Sequence, residues 1–277
     1  MLTHAEEVAS GRRFQFGRNW TSFLRRVDRE RVAVARASLC DMLECRHLGG
    51  KRFLDIGCGS GLFSLAARSL GATVHSFDFD PNSVACTRLL KEQSDPGDPL
   101  WTIEEGSVLD APYLESLGRF DVVYVWGVVH HTGDMWRAMR NSALPLDDKG
   151  QLFLALYNDR GRPTRFWRKV KQCYCSGWPG KWLVLGTFIP YFAAAVIVKG
   201  LLRLRNPLAS WSNYKKHRGM SLGHDWIDWL GGYPFEAASA GEVFEFYRRQ
   251  GLTLTRLKTV SGNGNHELVF RRLGPTG

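Results

Sequence analysis

The fold is decided by the stretch Phe53-Leu54-Asp55-Ile56-Gly57-Cys58-Gly59-Ser60-Gly61, which is followed by an apolar segment from Leu62 to Leu70. The residues from Arg52 to Ile56 have the composition of a buried strand, and the segment after the glycines is typical of a helix. Gly57 and Gly59 lack a Cβ, so the chain can turn tightly and its backbone can approach a ligand closely. The free N–H groups at the start of the helix then face that ligand.

Two carboxylates indicate what kind of ligand this turn holds. Asp55 lies two residues before the first glycine, where it would repel a pyrophosphate and favour a positively charged ligand, such as an ammonium or a sulfonium. Asp78 ends the next predicted strand, 23 residues after Asp55. An acid in this position can accept hydrogen bonds from two ribose hydroxyls. The alternative is that Asp78 only caps a helix that starts near Pro81.

With these features the chain resembles the class I S-adenosylmethionine-dependent methyltransferases over residues 50–157 and a C-terminal pair of strands. The resemblance implies an α/β, Rossmann-like sheet of parallel strands with a C-terminal antiparallel hairpin. It also implies that the cofactor S-adenosylmethionine has its methionine end at the glycine turn, its ribose at the second strand and its adenine after the third. The cofactor-binding residues it implies are Asp55, Gly57, Cys58, Gly59, Asp78, Phe79, Ser107, Val108 and Trp126.

The loop after the fourth predicted strand, Trp126 to Asp134, contains two adjacent histidines, His130 and His131. This loop, together with Phe16-Gly17 and Asn19-Trp20, resembles bacterial small-molecule methyltransferases, including relatives of ubiquinone-pathway O-methyltransferases. The resemblance implies a small or lipid-linked acceptor, and O-methylation is favoured. A phenol or alcohol acceptor needs a general base, which a histidine supplies with an ordinary pKa near neutrality. The alternatives are that these histidines make only structural hydrogen bonds, or that the acceptor needs no base.

A second candidate for the base lies in the segment from Gly223 to Glu236, where acids, tryptophans and glycines are crowded together. His224 is a candidate base here, and Asp225 could orient it or act alone. This segment is interpreted either as an acceptor pocket or as a packed aromatic corner whose acids pair with neighbouring basic residues.

The alternation of predicted strands and helices gives three regions. Residues 50–157 and 239–277 form the cofactor-binding core, because strand and helix patterns alternate in the first part and a helix and a hairpin close the second. Residues 1–49 form an N-terminal helical and aromatic segment, either packed on the core or acting as a lid over the cofactor pocket. Residues 158–238 form an insertion.

The insertion has an unusual charge and an unusual apolar run. Between Asp159 and Arg218 there are 13 Lys or Arg residues and one acid. Within this region the 17 residues from Trp182 to Val198 carry no charge. Because Gly186 and Pro190 weaken or kink helices, the run is predicted to be a hairpin or a broken helix that does not span a membrane.

Three interpretations of the insertion remain open. It could be a buried cap over the active site, an element that contacts an anionic membrane surface, or a surface that binds nucleic acid. The last would make the protein an RNA methyltransferase, which is the alternative to a small-molecule enzyme; the uncharged run argues against it. Leu185, Phe188 and Phe192 are the residues expected to enter lipid in the second interpretation.

The composition places limits on the class of protein. The chain has 277 residues, of which 44% are hydrophobic, so it can form one large α/β core with an insertion. Its six cysteines are scattered without the paired spacing of a zinc site, and its charged N-terminus is unlike a signal peptide. The sequence therefore predicts a cytoplasmic protein without a metal site, with contact at the inner face of the membrane if the insertion binds lipid.

Overall fold

A seven-stranded sheet forms the centre of the computed structural model, which describes residues 3–17, 28–202 and 222–272, with side chains in all of these except 199–202, 222–225 and 228. The strand order is β3-β2-β1-β4-β5-β7-β6, with β1 to β5 parallel and β7 antiparallel to both of its neighbours. The strands are β1 (Arg52–Ile56), β2 (Thr73–Asp78), β3 (Trp101–Glu105), β4 (Phe120–Trp126), β5 (Leu146–Tyr157), β6 (Leu252–Lys258) and β7 (Asn265–Arg272). The predicted parallel sheet with a C-terminal antiparallel hairpin is confirmed.

Ten α-helices lie within the described ranges. They are α1 (His4–Ala9), α2 (Arg29–Leu43), α3 (Leu62–Ser69), α4 (Pro81–Ser94), α5 (Ala111–Ser116), α6 (Met135–Ser142), α7 (Arg162–Cys175), α8 (Trp178–Leu202), α9 (Leu222–Gly231) and α10 (Ala240–Arg248). A single 3₁₀ turn, Val129–His131, follows β4. A capping box is present at the start of α10, where Ser239 and Glu242 each accept a hydrogen bond from the other's backbone N–H.

The alternation of side chains along β4 shows how the sheet separates two layers of core. Val123 and Val125 belong to a cluster on one face, which α5, α6 and α10 complete. Val122 and Tyr124 point to the other face, where they join a cluster formed with α2 and α3. Because both faces are covered, the carboxyl ends of the parallel strands are the open edge at which a ligand can enter.

Strand β5 begins at Leu146, before a polar run. The run from Asp147 to Gly150 is polar and therefore resembles a turn in sequence. Leu146 nevertheless pairs with Phe120 on β4, and the register shifts after this pair. A register irregularity of this kind lets polar residues lie within a strand.

The apolar run in the insertion is one continuous helix, α8, of 25 residues with Pro190 inside it. The prediction of a hairpin or broken helix is wrong, because an internal proline removes one backbone hydrogen bond and can bend a helix without ending it. Among the described residues, the segment Trp178–Val198 is long and apolar enough to cross a membrane by length and composition alone. Of the residues in its 18-residue apolar window, 6% are buried. Most of the described run is therefore exposed, and its role as a cap remains a prediction.

The described part of the N-terminal segment lies over the carboxyl ends of the strands. Asp80, at the start of α4, accepts a hydrogen bond from Gly17 N at 2.8 Å, and His4 Nε2 lies 3.4 Å from the same carboxylate. Helix α2 instead packs on the sheet, where Leu39 and Met42 are buried. Trp20, Phe23 and Leu24, which belong to the segment predicted as a lid, lie outside the described residues. The three-region division and the lid remain predictions.

Candidate active site

A cavity of about 300 Å³ opens at the carboxyl ends of β1, β2, β4 and β5. Its walls come from four parts of the chain: the N-terminal segment, the glycine turn with the end of β2, the loop after β3, and the loop after β4. Tyr157 and Asn265 close the side nearest the hairpin. Parallel α/β sheets bind ligands at this edge, so the cavity is the candidate active site.

The glycine turn forms one wall because its backbone has no room for side chains. Gly57 and Gly59 have φ values of 72° and 55°, in the left-handed region. A Cβ on Gly57 would clash with the Cγ2 of Val128 and lie 2.9 Å from its Cγ1. The glycine at position 57 is therefore required both by its backbone conformation and by the close approach of the loop after β4.

Asp78 ends β2 and lines the cavity. Its Oδ2 accepts a hydrogen bond from Gly59 N at 2.9 Å, and its Oδ1 accepts one from Asp80 N at 2.9 Å. Burial raises the pKa of Asp78 to about 6, although the two backbone hydrogen bonds oppose this change. Asp80, not Asp78, caps α4 by accepting a hydrogen bond from Asn82 N. The alternative in which Asp78 is only a helix cap is therefore wrong.

Two residues expected to contact the cofactor lie behind the cavity wall. Asp55 is buried beneath the turn, where the hydroxyl of Ser64 donates a hydrogen bond to its carboxylate, and burial raises its pKa to about 7. Cys58 is also buried and accepts a weak hydrogen bond from Thr87 at 3.3 Å. Neither side chain lines the cavity. The prediction that Asp55 lines the methionine end of the cofactor site is corrected: its carboxylate is buried beneath the turn and bonded to Ser64.

The remaining predicted cofactor residues lie on the cavity wall. Phe79 follows Asp78, and the guanidinium of Arg13 lies 5.1 Å from the centre of its ring. In the loop after β3, Ser107 Oγ accepts a hydrogen bond from Leu109 N at 3.2 Å. Val108 and Trp126 also line the cavity. The structure thus brings these residues together with Gly57, Gly59 and Asp78.

The sequence did not indicate the cavity residues of the N-terminal segment, His4, Glu7 and Arg13. Arg13 joins three parts of the site. Its Nε lies 2.5 Å from Glu7 Oε2, and its Nη1 donates a hydrogen bond to His131 O at 2.8 Å. No sequence motif marks such contacts, because they depend on how a distant segment crosses the sheet edge.

Asn265 was also missed, since its position at the start of β7 was interpreted only as part of a hairpin. Its side chain lines the cavity beside Tyr157. Its Oδ1 is buried and accepts no hydrogen bond from the described part of the chain. A buried acceptor without a donor is unfavourable, so this oxygen is suited to a donor group of a bound ligand.

His131 lines the cavity, and its tautomer is fixed by its neighbour. Its Nδ1 lies 2.7 Å from the carbonyl oxygen of Pro234, which can only accept, so Nδ1 carries the proton. In the neutral ring Nε2 is then left with a lone pair. Burial, together with the positive charges of Lys171 and Arg13, lowers the pKa of His131 to about 3, and only the Pro234 hydrogen bond opposes this change. His131 is therefore neutral at physiological pH, and the ordinary pKa expected from the sequence is corrected.

His130 is buried next to it and makes a structural hydrogen bond. Its Nδ1 accepts from Tyr157 N at 3.2 Å, so its proton is on Nε2. Burial, followed by the neighbouring His131 and Lys171, holds its pKa well below the ordinary value. His224 and Asp225 have side chains outside those that the structure describes, so their catalytic role remains a prediction. Among the described side chains, no group of three or more His, Cys, Asp or Glu residues could hold a metal ion.

A family profile described as a methyltransferase domain matches residues 29–252. The chain belongs to this methyltransferase family. The match covers most of the chain. The resemblance found in the glycine turn and the β2 acid is confirmed.

Two curated relatives match the methyltransferase in part. Ribosomal protein L11 methyltransferase of Helicobacter hepaticus is 33% identical over 91 residues, which are 32% of this chain and 27% of the relative. Ubiquinone biosynthesis O-methyltransferase of Xanthomonas oryzae pv. oryzae is 33% identical over 113 residues, which are 40% of this chain and 45% of the relative. The chain thus spans less than half the length of these relatives.

A solved structure shows the same fold over most of the methyltransferase. Magnesium protoporphyrin IX methyltransferase from Synechocystis PCC 6803, solved with bound S-adenosylhomocysteine (SAH), superposes with a TM-score of 0.53 at 15% sequence identity. The match covers 87% of this chain and 81% of that one. At this identity the likeness shows the fold and says nothing about the acceptor.

Three structural observations indicate that the cavity can hold S-adenosylmethionine. Gly57 and Gly59 line the cavity, so that backbone without side chains lies at its wall. The carboxylate of Asp78 lies at the end of β2, where a ribose can donate to it. The unsatisfied Oδ1 of Asn265 provides an acceptor on the opposite side of the same cavity.

Proposed function

We propose that this methyltransferase transfers a methyl group to an acidic oxygen, such as that of a phenol, enol or carboxylic acid, on a small or lipid-linked acceptor. The observation that carries the proposal is the fixed tautomer of His131, whose side chain lines the cavity. Because Nδ1 carries the proton, the lone pair of Nε2 is the ring's hydrogen-bond acceptor. The ubiquinone biosynthesis O-methyltransferase of Xanthomonas oryzae pv. oryzae supports oxygen as the methylated atom.

The cofactor is held by residues from three strands in this proposal. Gly57, Gly59 and Asp78 bind its methionine and ribose parts, and Ser107 and Val108 hold its adenine. S-adenosylmethionine, when bound, supplies an activated methyl group on a positively charged sulfur. Phe16 and Arg13 line the cavity on its N-terminal side. In this proposal they limit the access of water, which favours displacement at an activated carbon.

His131 Nε2 accepts a hydrogen bond from the acceptor's hydroxyl and orients it, while Nδ1–H stays bonded to Pro234. A base whose pKa is about 3 cannot remove a proton from an alkyl alcohol to a useful extent. The charges of Lys171 and Arg13 that disfavour a proton on His131 also favour an anion in the same place. The site is therefore suited to an oxygen that ionises easily and is stabilised as an oxyanion.

The proposal is tested by product identification. Small-molecule and lipid extracts of the source cells are incubated with the purified enzyme and isotopically labelled S-adenosylmethionine, and labelled products are analysed by mass spectrometry. A labelled methyl ether or methyl ester is expected. Label found only on nitrogen or carbon would overturn O-methylation. Label found only in an added total RNA fraction would overturn it as well and would favour the RNA methyltransferase alternative.

We place the reaction in the cytoplasm because all six cysteines are free thiols.

Substitution of Asp78 with asparagine tests the ribose site. The variant keeps the shape but loses the charge, so affinity for SAH should fall by about 1.5–3 kcal/mol, the usual value for hydrogen bonds to a charged group. Wild-type affinity should also fall as the pH drops below about 6, because Asp78 is then protonated. The variant should show no such dependence. Calorimetry that gives the same affinity and pH profile for both proteins would remove Asp78 from the site.

A further inference from the structure

Large apolar side chains are exposed along the whole length of α8. These side chains are between 45% and 73% exposed. They define the α8 stripe, which consists of Trp178, Trp182, Leu183, Tyr191, Ile197 and Val198. With a rise of about 1.5 Å per residue, the stripe is roughly 30 Å long. Exposed apolar surfaces of this extent mark interaction sites in soluble proteins.

One face of the same helix already has its packing partners. Leu185, Phe188 and Phe192 pack with α7 and α9 around Val170 and Leu230. Trp167 of α7 lies against Phe188, with their ring centres 5.3 Å apart. These are the residues that the sequence suggested for lipid contact; in the structure they are half-buried against α7 and α9. The stripe is therefore the part of the helix surface that the fold leaves without a partner among the described residues.

The charged residues of α7 and α8 are all positive. Arg165 and Lys169 on α7 are exposed, as is Lys181 beside the stripe. In sequence, the region from Asp159 to Arg218 carries 13 basic residues and one acid, while residues 182–198 have no charge. An uncharged apolar strip bordered by Lys and Arg is complementary to a surface with anionic headgroups above an apolar layer.

We propose that the α8 stripe docks the enzyme on an anionic lipid bilayer, with the helix lying in the plane of the interface. Its tryptophans and tyrosine occupy the headgroup level, and Leu183, Ile197 and Val198 enter the acyl boundary. The helix does not cross the bilayer in this arrangement, because α7 and α9 cover its other face. A second copy of the chain is a poorer occupant, since the two highly basic regions would repel each other. RNA is poorer as well, because phosphates gain nothing from an uncharged strip.

The test is flotation of the purified full chain with vesicles of phosphatidylcholine alone and of phosphatidylcholine with phosphatidylglycerol, at low and high salt. The wild type should float with the anionic vesicles, and part of the binding should persist at high salt because apolar burial is not screened. The variant Trp182→Ser, Leu183→Ser, Tyr191→Ser should partition about tenfold or more weakly and lose the salt-resistant part. Arg165→Gln with Lys169→Gln and Lys181→Gln should lower only the salt-sensitive part.

A matched control changes three equally apolar residues elsewhere on the surface. Leu89, Leu100 and Leu257 are 46% to 51% exposed, and their triple replacement by serine should leave flotation unchanged. Thermal unfolding of every variant checks that the fold is intact. The proposal is overturned if the wild type ignores anionic vesicles, floats equally with neutral ones, or binds no better than the stripe variant. A dimer that the stripe variant converts to a monomer, in the absence of vesicle binding, would assign the stripe to a second copy instead.

Discussion

Replacing His131 with asparagine should lower kcat by about 10²- to 10⁴-fold, the usual contribution of a positioned proton acceptor. The substitution removes the Nε2 lone pair but leaves a side chain that can still donate to Pro234. The affinity for SAH should change little, because the cofactor contacts lie on the glycine turn and the end of β2. Steady-state kinetics with the identified acceptor, together with calorimetry of SAH binding, separates these two effects.

A matched histidine lies far from the cavity. His75 sits within β2 and its Nε2 is 3.0 Å from Glu104. His75→Asn should change stability but leave kcat near the wild-type value. The pH profile adds a second readout: with its pKa near 3, His131 contributes no ionisation to the rate between pH 6 and 9. An acidic limb near the ordinary histidine pKa that disappears in His131→Asn would contradict the low pKa and the preference for an acidic acceptor.

Gly57→Ala should abolish most cofactor binding, with a loss in kcat/KM of about 10²-fold or more, because a shift of the turn misplaces the bound groups. The new Cβ would clash with Val128 and force φ of 72° on a residue that disfavours it. The free energy of unfolding should fall by about 1–3 kcal/mol for the same reasons. Calorimetry with SAH and thermal unfolding measure the two losses.

Gly50 provides the matched control for this substitution. It has φ of 73°, and nothing lies within 4 Å of a Cβ built on it. Gly50→Ala should therefore show only the cost of backbone strain, with unchanged cofactor affinity. Adding Val128→Ala to Gly57→Ala relieves the clash but not the strain, so part of the affinity should return. Equal losses in Gly50→Ala and Gly57→Ala would show that the close approach of Val128 has no role.

Local signals were sufficient for the core of the fold. The glycine turn could be predicted because tight turns and close approach require glycine, and Asp78 because it ends a short apolar strand at a fixed distance from that turn. The capping box at Ser239 and the closing hairpin are likewise encoded in a few adjacent residues. In each case the determining interactions lie within one strand, one turn or one pair of neighbouring elements.

Features that depend on tertiary packing could not be predicted in this way. The low pKa of His131 arises from burial and from charges more than a hundred residues away or on another helix. Arg13 and Asn265 reach the cavity only because the chain ends cross its rim. Asp55 has the position of a ligand contact in sequence, yet its side chain points away from the cavity towards Ser64. The length of α8, and which of its residues are exposed, likewise depend on where α7 and α9 pack.

The assignment of the cavity as the S-adenosylmethionine site is tested most directly by calorimetric titration of the purified chain with SAH. Binding to one site per chain is expected at neutral pH, weaker in Asp78→Asn and nearly lost in Gly57→Ala, with Gly50→Ala like the wild type. A folded wild-type chain that neither releases heat nor gains thermal stability with SAH would contradict this assignment, as would unchanged binding in both cavity variants.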